Sequence, residues 1–160
     1  MKKLLFLLMA LPLLAIGFTS CSDDDKDLPD VNIGFTYSGG TYVNNKMYVV
    51  KDSVFTVDSI YCEPAPGTKT AAITNVTYFF AGLPQFYTIV QPFGASFNTT
   101  GINPGAYPFN ISMTVLQVDK SIANAAIGIP LVIVNDASEI PAAPDPSAGS
   151  TFHGTASPVK

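Results

Sequence analysis

Arginine and tryptophan are absent from the 160 residues, histidine occurs once, cysteine twice, and charged side chains make up only 12% of the chain. Each shortage closes off a class of function. Nucleic-acid binding rests on clustered basic side chains that neutralise phosphates, and an acidic chain without arginine has no such footprint. His153 stands alone, so no His/Cys/Asp cluster has metal-ligand spacing. No glycine-rich loop follows a strand and opens a helix to cradle phosphate. No cofactor and no catalytic residue is expected. Cys62 has no histidine near it in sequence to raise its nucleophilicity. Asp52 and Asp58 flank one strand, but general acid/base work needs paired carboxylates in environments that separate their pKa values, and strand-end carboxylates are ordinarily solvated. No long stretch carries helical period either.

What is present begins with a targeting pattern. Lys2 and Lys3 precede an apolar run, Leu4 to Ile16, interrupted only by Pro12. The run is shorter than the ~20 residues a spanning helix needs, and it ends in small residues, as a signal peptide does. Thr19-Ser20-Cys21 then places small side chains before a thiol. The stretch resembles the lipobox of bacterial lipoproteins, although Phe18 stands where leucine is usual and Ser20 where glycine or alanine is usual. The resemblance implies that residues 1–20 are removed and that Cys21 becomes an acylated N-terminus carrying diacylglycerol and a further acyl chain. Ser22 at the second mature position, rather than aspartate, argues against retention in an inner membrane. Ser22-Asp23-Asp24-Asp25-Lys26-Asp27 resembles the acidic export signal of surface-exposed lipoproteins, which implies an outer-membrane anchor facing the cell exterior. As plain chemistry, the like charges make residues 21–30 an extended, solvated tether. They lack the glycine and distal glutamate of a calcium loop.

Without residues 1–20 the chain keeps 140 residues, enough for one domain. Six lysines then face twelve acids, a net charge of −6. With Cys21 committed to lipid, Cys62 has no intrachain disulfide partner and is expected to pack as a small apolar group.

From Val31 the chain reads as short β segments broken by Gly, Pro and Asn. Val31 to Tyr37 alternates, and Asn44-Asn45 is a tight turn between Thr41–Val43 and Lys46–Val50. Ser53 to Cys62 changes parity midway, because Phe55 and Val57 share one phase while Ile60 and Cys62 share the other. A β-bulge near Asp58-Ser59 reconciles them. Further strands are expected over Ala72–Ala81, Gln85–Val90, Ala95–Thr99, a segment from Pro104 to Val118, and Ala126–Val134, whose Pro130 favours an edge position. Residues 137–160, rich in Pro, Ala, Ser and Gly, are expected to form a disordered tail.

This pattern predicts an all-β antiparallel sandwich of about seven strands over residues 31–136. Three positions give it a type. Cys62 closes an early strand, Tyr78 or Phe80 lies in the next, and Tyr107 precedes Phe109 by two residues after a Pro-Gly turn. The Tyr107 spacing is that of a tyrosine corner. The domain thus resembles bacterial immunoglobulin-like domains, which implies that Cys62 and Phe109 stand where the two core cysteines would be.

Aromatic residues are the remaining surplus. Tyr78, Phe79, Phe86 and Tyr87 are candidate contacts for a glycan or a partner protein, since neighbouring rings on one strand point to opposite faces and cannot all enter one core. Asp52-Ser53-Val54 and Asp58-Ser59-Ile60 resemble O-glycan acceptor sites of surface lipoproteins. The reading at this level is a non-enzymatic, membrane-anchored cell-envelope protein acting as an interaction or accessory module. Its partners are outer-membrane lipid, through Cys21, and an envelope protein or glycan. The alternative is a glycan-binding accessory lipoprotein of a polysaccharide-uptake system.

Overall fold

The structure is a computed structural model that describes residues 28–142 and 151–155. Ten strands lie within them: β1 (Val31–Ser38), β2 (Thr41–Val43), β3 (Lys46–Val50), β4 (Val54–Pro64), β5 (Ala71–Phe80), β6 (Leu83–Thr88), β7 (Ala95–Asn98), β8 (Gly105–Gln117), β9 (Ala123–Val134) and β10 (Thr151–Thr155). A single 3-10 turn, Ala137–Glu139, follows β9, and the Asp136 side chain accepts from Ser138 N–H at its start. No helix among the described residues is long and apolar enough to cross a membrane.

The strands form two open sheets, one of four strands ordered β10-β1-β4-β7 and one of six ordered β2-β3-β9-β8-β5-β6. Alternation explains why these residues became strands. In β9 the side chains of Ala125, Ile127, Ile129, Leu131 and Ile133 are buried, while those between them face outward, as a pleat with one wet face requires. The inner faces meet in one apolar core. At its centre Phe55 and Phe97 from the small sheet meet Tyr78 and Phe109 from the large one. Phe109 takes Phe97 and Phe55 edge-on, with centroids 5.0 and 5.7 Å away. These edge-to-face contacts are favoured by the ring quadrupoles.

Several local expectations hold. Asn44 and Asn45 both adopt positive φ, the signature of a two-residue hairpin turn. Thr36 pairs with Ser59 and Tyr37 with Val57, so Asp58 is the extra residue of a β-bulge. The bulge has a purpose in packing: Ile60 N–H donates to Pro92 O at 2.9 Å, and a Cβ on Gly94 would approach Asp58 O to 3.0 Å. The chain leading into β7 therefore crosses β4 at this kink, where only a small residue fits.

Other expectations are corrected. The sandwich is not wholly antiparallel, because β3 pairs with β9 in parallel. Five further strands, drawn from both sheets, intervene between β3 and β9 in sequence, so no hairpin constrains their relative direction. Pro130 does not place β9 at an edge, since β9 lies between β3 and β8. The β3 ladder begins only at Leu131, and on the other side Pro130 faces Pro108 of β8, so the proline sits just outside the stretch that β9 pairs with β3. The predicted tail contributes β10, which adds antiparallel to β1 from Asn32 to Thr36. A sheet edge of unpaired backbone groups is a template for such addition, and the Thr-Phe-His-Gly-Thr segment contains no proline to prevent it. The across-sheet partner of Phe109 is Phe55, not Cys62, which lies roughly 23 Å further along β4 at 3.3 Å per residue.

Candidate functional site

Cys21, Ser22, Asp23, Asp24 and Asp25 lie outside the described residues. The four aromatic candidates lie within them, and the structure separates them. Tyr78 has 0% of its surface exposed and is a core residue, with its hydroxyl donating to the Phe93 carbonyl. Burial holds its phenol well above the usual tyrosine range, because the low-dielectric interior disfavours the phenolate. Tyr78 is thereby removed from the contact candidates. Phe79 is half-buried and faces the opposite side of the large sheet from Tyr78.

Phe86 and Tyr87 lie on β6, the outermost strand of the large sheet. Ala81 and Gly82 both take positive φ, folding β6 tightly back against β5. Pro84 lacks a donor, which suits an edge. Phe79 pairs with Pro84 and Tyr78 with Phe86, leaving Gln85 as the extra residue of a second bulge. That bulge decides which way the rings point. Phe86 shares the inward face with Tyr78, at a centroid distance of 6.4 Å, and Tyr87 pairs with Thr77 on the outward face. Phe86 is 48% exposed and Tyr87 60%. They stand on opposite faces of one strand, so they do not form a single stacking platform.

Beside Phe86 a cleft of about 270 Å³ opens between β6 and β7, the facing edges of the two sheets, lined chiefly by Phe80, Phe86, Phe97, Ile102 and Leu131. Its buried polar residue is already engaged: the Thr99 hydroxyl accepts from Ser53 N–H at 3.0 Å and approaches Ser53 O and Val50 O at 2.9 and 3.1 Å. Gln85, Ser96 and Asn98 add polar lining, and among the described residues the cleft holds no carboxylate, imidazole or thiol.

Sequence reasoning passed over Leu83, Ile89 and Val90, which extend the exposed apolar surface along β6 and the loop after it. The signal that could have found them is a shortage of charge. Residues 70–118 contain no Asp, Glu, Lys, Arg or His, so β5 to β8 carry none of the charges that usually guard a sheet edge.

The other candidate chemistries are dispersed. Cys62 is a free, half-buried thiol, and burial pushes its pKa up, away from the thiolate that reactivity needs. Asp58 accepts from the Ser38 hydroxyl at 3.0 Å, whereas Asp52 occupies a left-handed turn position. Among the described residues no three His, Cys, Asp or Glu side chains converge on a metal-sized site. No family model matches the chain, and no curated protein matches it at a significant level.

Proposed function

We propose that this chain is a lipid-anchored cell-envelope protein whose immunoglobulin-like sandwich is a non-enzymatic interaction module, and that the β6 edge is the surface it offers to an extended polypeptide. The observation that carries the reading is β6 itself. It is an edge strand with Leu83, Phe86 and Tyr87 exposed, unguarded by charge and flanked by an uncharged cleft that mixes aromatic, aliphatic and polar lining. Strand addition at such an edge gains affinity from main-chain hydrogen bonds and specificity from pockets for alternate side chains.

The immunoglobulin-like type draws support from strand order. With β1, β4 and β7 read as strands A, B and E, and β5, β8 and β9 as C, F and G, the order within each sheet agrees with that type, and β6 lies beside β5 as a C′ strand lies beside C. Among the described residues no strand stands beyond β7 in the place of D, and β2, β3 and β10 are additions. Tyr107 supports it independently, since its hydroxyl donates to Asn103 O, four residues upstream, at 2.8 Å. That is the hydrogen bond of a tyrosine corner. The lipid anchor and outward display rest on Cys21 and the acidic residues after it.

A photo-cross-linking residue in place of Tyr87, in the full chain on intact cells, tests the module. A polypeptide adduct that is lost on adding Gln85→Lys, and never forms from position 124 on the same sheet, is the expected result. Equal labelling from both positions would overturn the reading. Glycan binding is the second reading, favoured by Tyr87 and half-buried Phe79 sharing the outward face. It predicts oligosaccharide binding that Tyr87→Ala abolishes.

A further inference from the structure

The outer face of the large sheet is a surface separate from the β6 edge. Tyr87, Thr77, Ser112 and Ala126 pair in one row across β6, β5, β8 and β9, and Phe79, Asn110 and Gly128 pair in the next. Tyr87 and Phe79 are therefore diagonal neighbours, about 7–8 Å apart between Cα atoms. Past Phe79 a shallow hollow of about 340 Å³ opens over β8 and β9, lined chiefly by Ala106, Pro108, Asn110, Gly128 and Pro130. Gly128 forms its floor. A Cβ there would meet Asn110 Oδ1 at 2.9 Å, so the Asn110 amide lies across the glycine. From Tyr87 to Gly128 the track crosses three strand spacings and climbs one row, roughly 16 Å in all.

Charge and backbone pairing decide what can lie there. β5, β6, β8 and β9 contain no acid and no base. The charged side chains around the face stand at its borders. Lys46 precedes the Met47–Leu131 pair that opens the β3 ladder, Lys51, Asp136 and Glu139 lie beyond the end of β9, and Lys69, Asp119 and Lys120 lie by the β8–β9 hairpin. Both signs occur at each border, and the whole chain, at −4, repels acidic ligands and other copies of itself. β5, β8 and β9 each have a strand on both sides. An extended polypeptide laid across them would gain none of the main-chain hydrogen bonds that strand addition depends on. A neutral sugar chain needs no such bonds. Each pyranose offers a face of C–H groups to an aromatic ring and a rim of hydroxyls to amides and hydroxyls, which Asn110, Thr77 and Ser112 supply beside the two rings.

We propose that a neutral oligosaccharide lies diagonally across this face, stacked on Tyr87 and Phe79, with its next sugar seated in the hollow against the Asn110 amide. The proposal rests on the glycan reading above and extends it, from a single ring at Tyr87 to a track that a disaccharide does not fill. Binding should therefore depend on chain length, and the hollow should be where that dependence arises.

The test uses the full chain on an array of neutral and acidic di- to hexasaccharides, followed by calorimetry with the neutral series that binds. Affinity is expected to rise several-fold from disaccharide to hexasaccharide. Gly128→Val, which fills the hollow, and Asn110→Ala, which removes its amide, should each cancel that rise and leave disaccharide binding and the unfolding midpoint unchanged. Tyr87→Ala should abolish binding at every length. Affinity that does not grow with length, or growth retained in both hollow variants, overturns the track and leaves glycan binding at Tyr87 standing. Binding of acidic sugars alone also overturns it. A dimer in sedimentation that Gly128→Val dissolves would put a second copy on the face, with the same consequence. An array on which nothing binds removes the track and the glycan reading together.

Discussion

At the scale of single residues, glycines with the same backbone conformation differ in what surrounds them. Gly39 and Gly82 both have positive φ, at +72° and +80°. A Cβ on Gly39 would meet Val54 O at 2.0 Å, whereas nothing lies within 4 Å at Gly82. Gly82→Ala is expected to cost about 1 kcal/mol from backbone strain alone, and Gly39→Ala several-fold more; urea unfolding of the two variants checks the order. Tyr78→Phe strips the buried Phe93 carbonyl of its partner, at a cost of about 1–3 kcal/mol. The same residue governs alkaline stability. Because burial raises its pKa, the folded protein keeps the Tyr78 proton that the unfolded chain releases above the ordinary value of 10.0. The unfolded state then binds fewer protons, so stability is intact below pH 10 and falls as pH rises beyond it. Tyr78→Phe should flatten that decline without abolishing it, since burial also raises Tyr37, Tyr42 and Tyr61. Unfolding midpoints from pH 8 to 11 would read this directly.

At the scale of elements, the edges matter most. β10 covers the outer edge of β1, pairing from Asn32 to Thr36. A chain ended after residue 142 should therefore show faster hydrogen exchange at the β1 amides that face β10, with β8 and β9 unchanged, as mass spectrometry of exchanged peptides would resolve. Unaltered β1 protection would contradict the pairing. What the sequence made legible at this scale is what is encoded locally. The Asn44-Asn45 turn follows from two residues that tolerate positive φ, and the Asp58 bulge follows from a break in parity. The Gln85 bulge left no such trace, because every residue of β6 except Thr88 is exposed, and a strand without a buried face shows no parity to break. The sides taken by Phe86 and Tyr87 were therefore not readable.

At the scale of the molecule, charge and neutrality are segregated along the chain. Five of the twelve acids fall between residues 23 and 30, and residues 70–118 have none. With net negative charge holding copies apart, self-association through β6 should increase as pH falls towards the carboxylate range, about 4. Gln85→Lys should suppress it while changing stability by less than about 0.5 kcal/mol. Sedimentation velocity at neutral and acidic pH separates these outcomes. The sequence by itself determined the β class, the positions of β1 to β9, the Asn44-Asn45 turn, the parity break at Asp58 and the spacing of Tyr107 from Phe109, since each is written in residues close together. Only the tertiary structure decided that β3 runs parallel to β9, that Phe109 meets Phe55, that β10 returns to β1, and that Tyr78 is core while Tyr87 is surface. Those outcomes depend on which distant segments meet, and meeting is governed by shape and burial across two sheets rather than by the preference of any one segment.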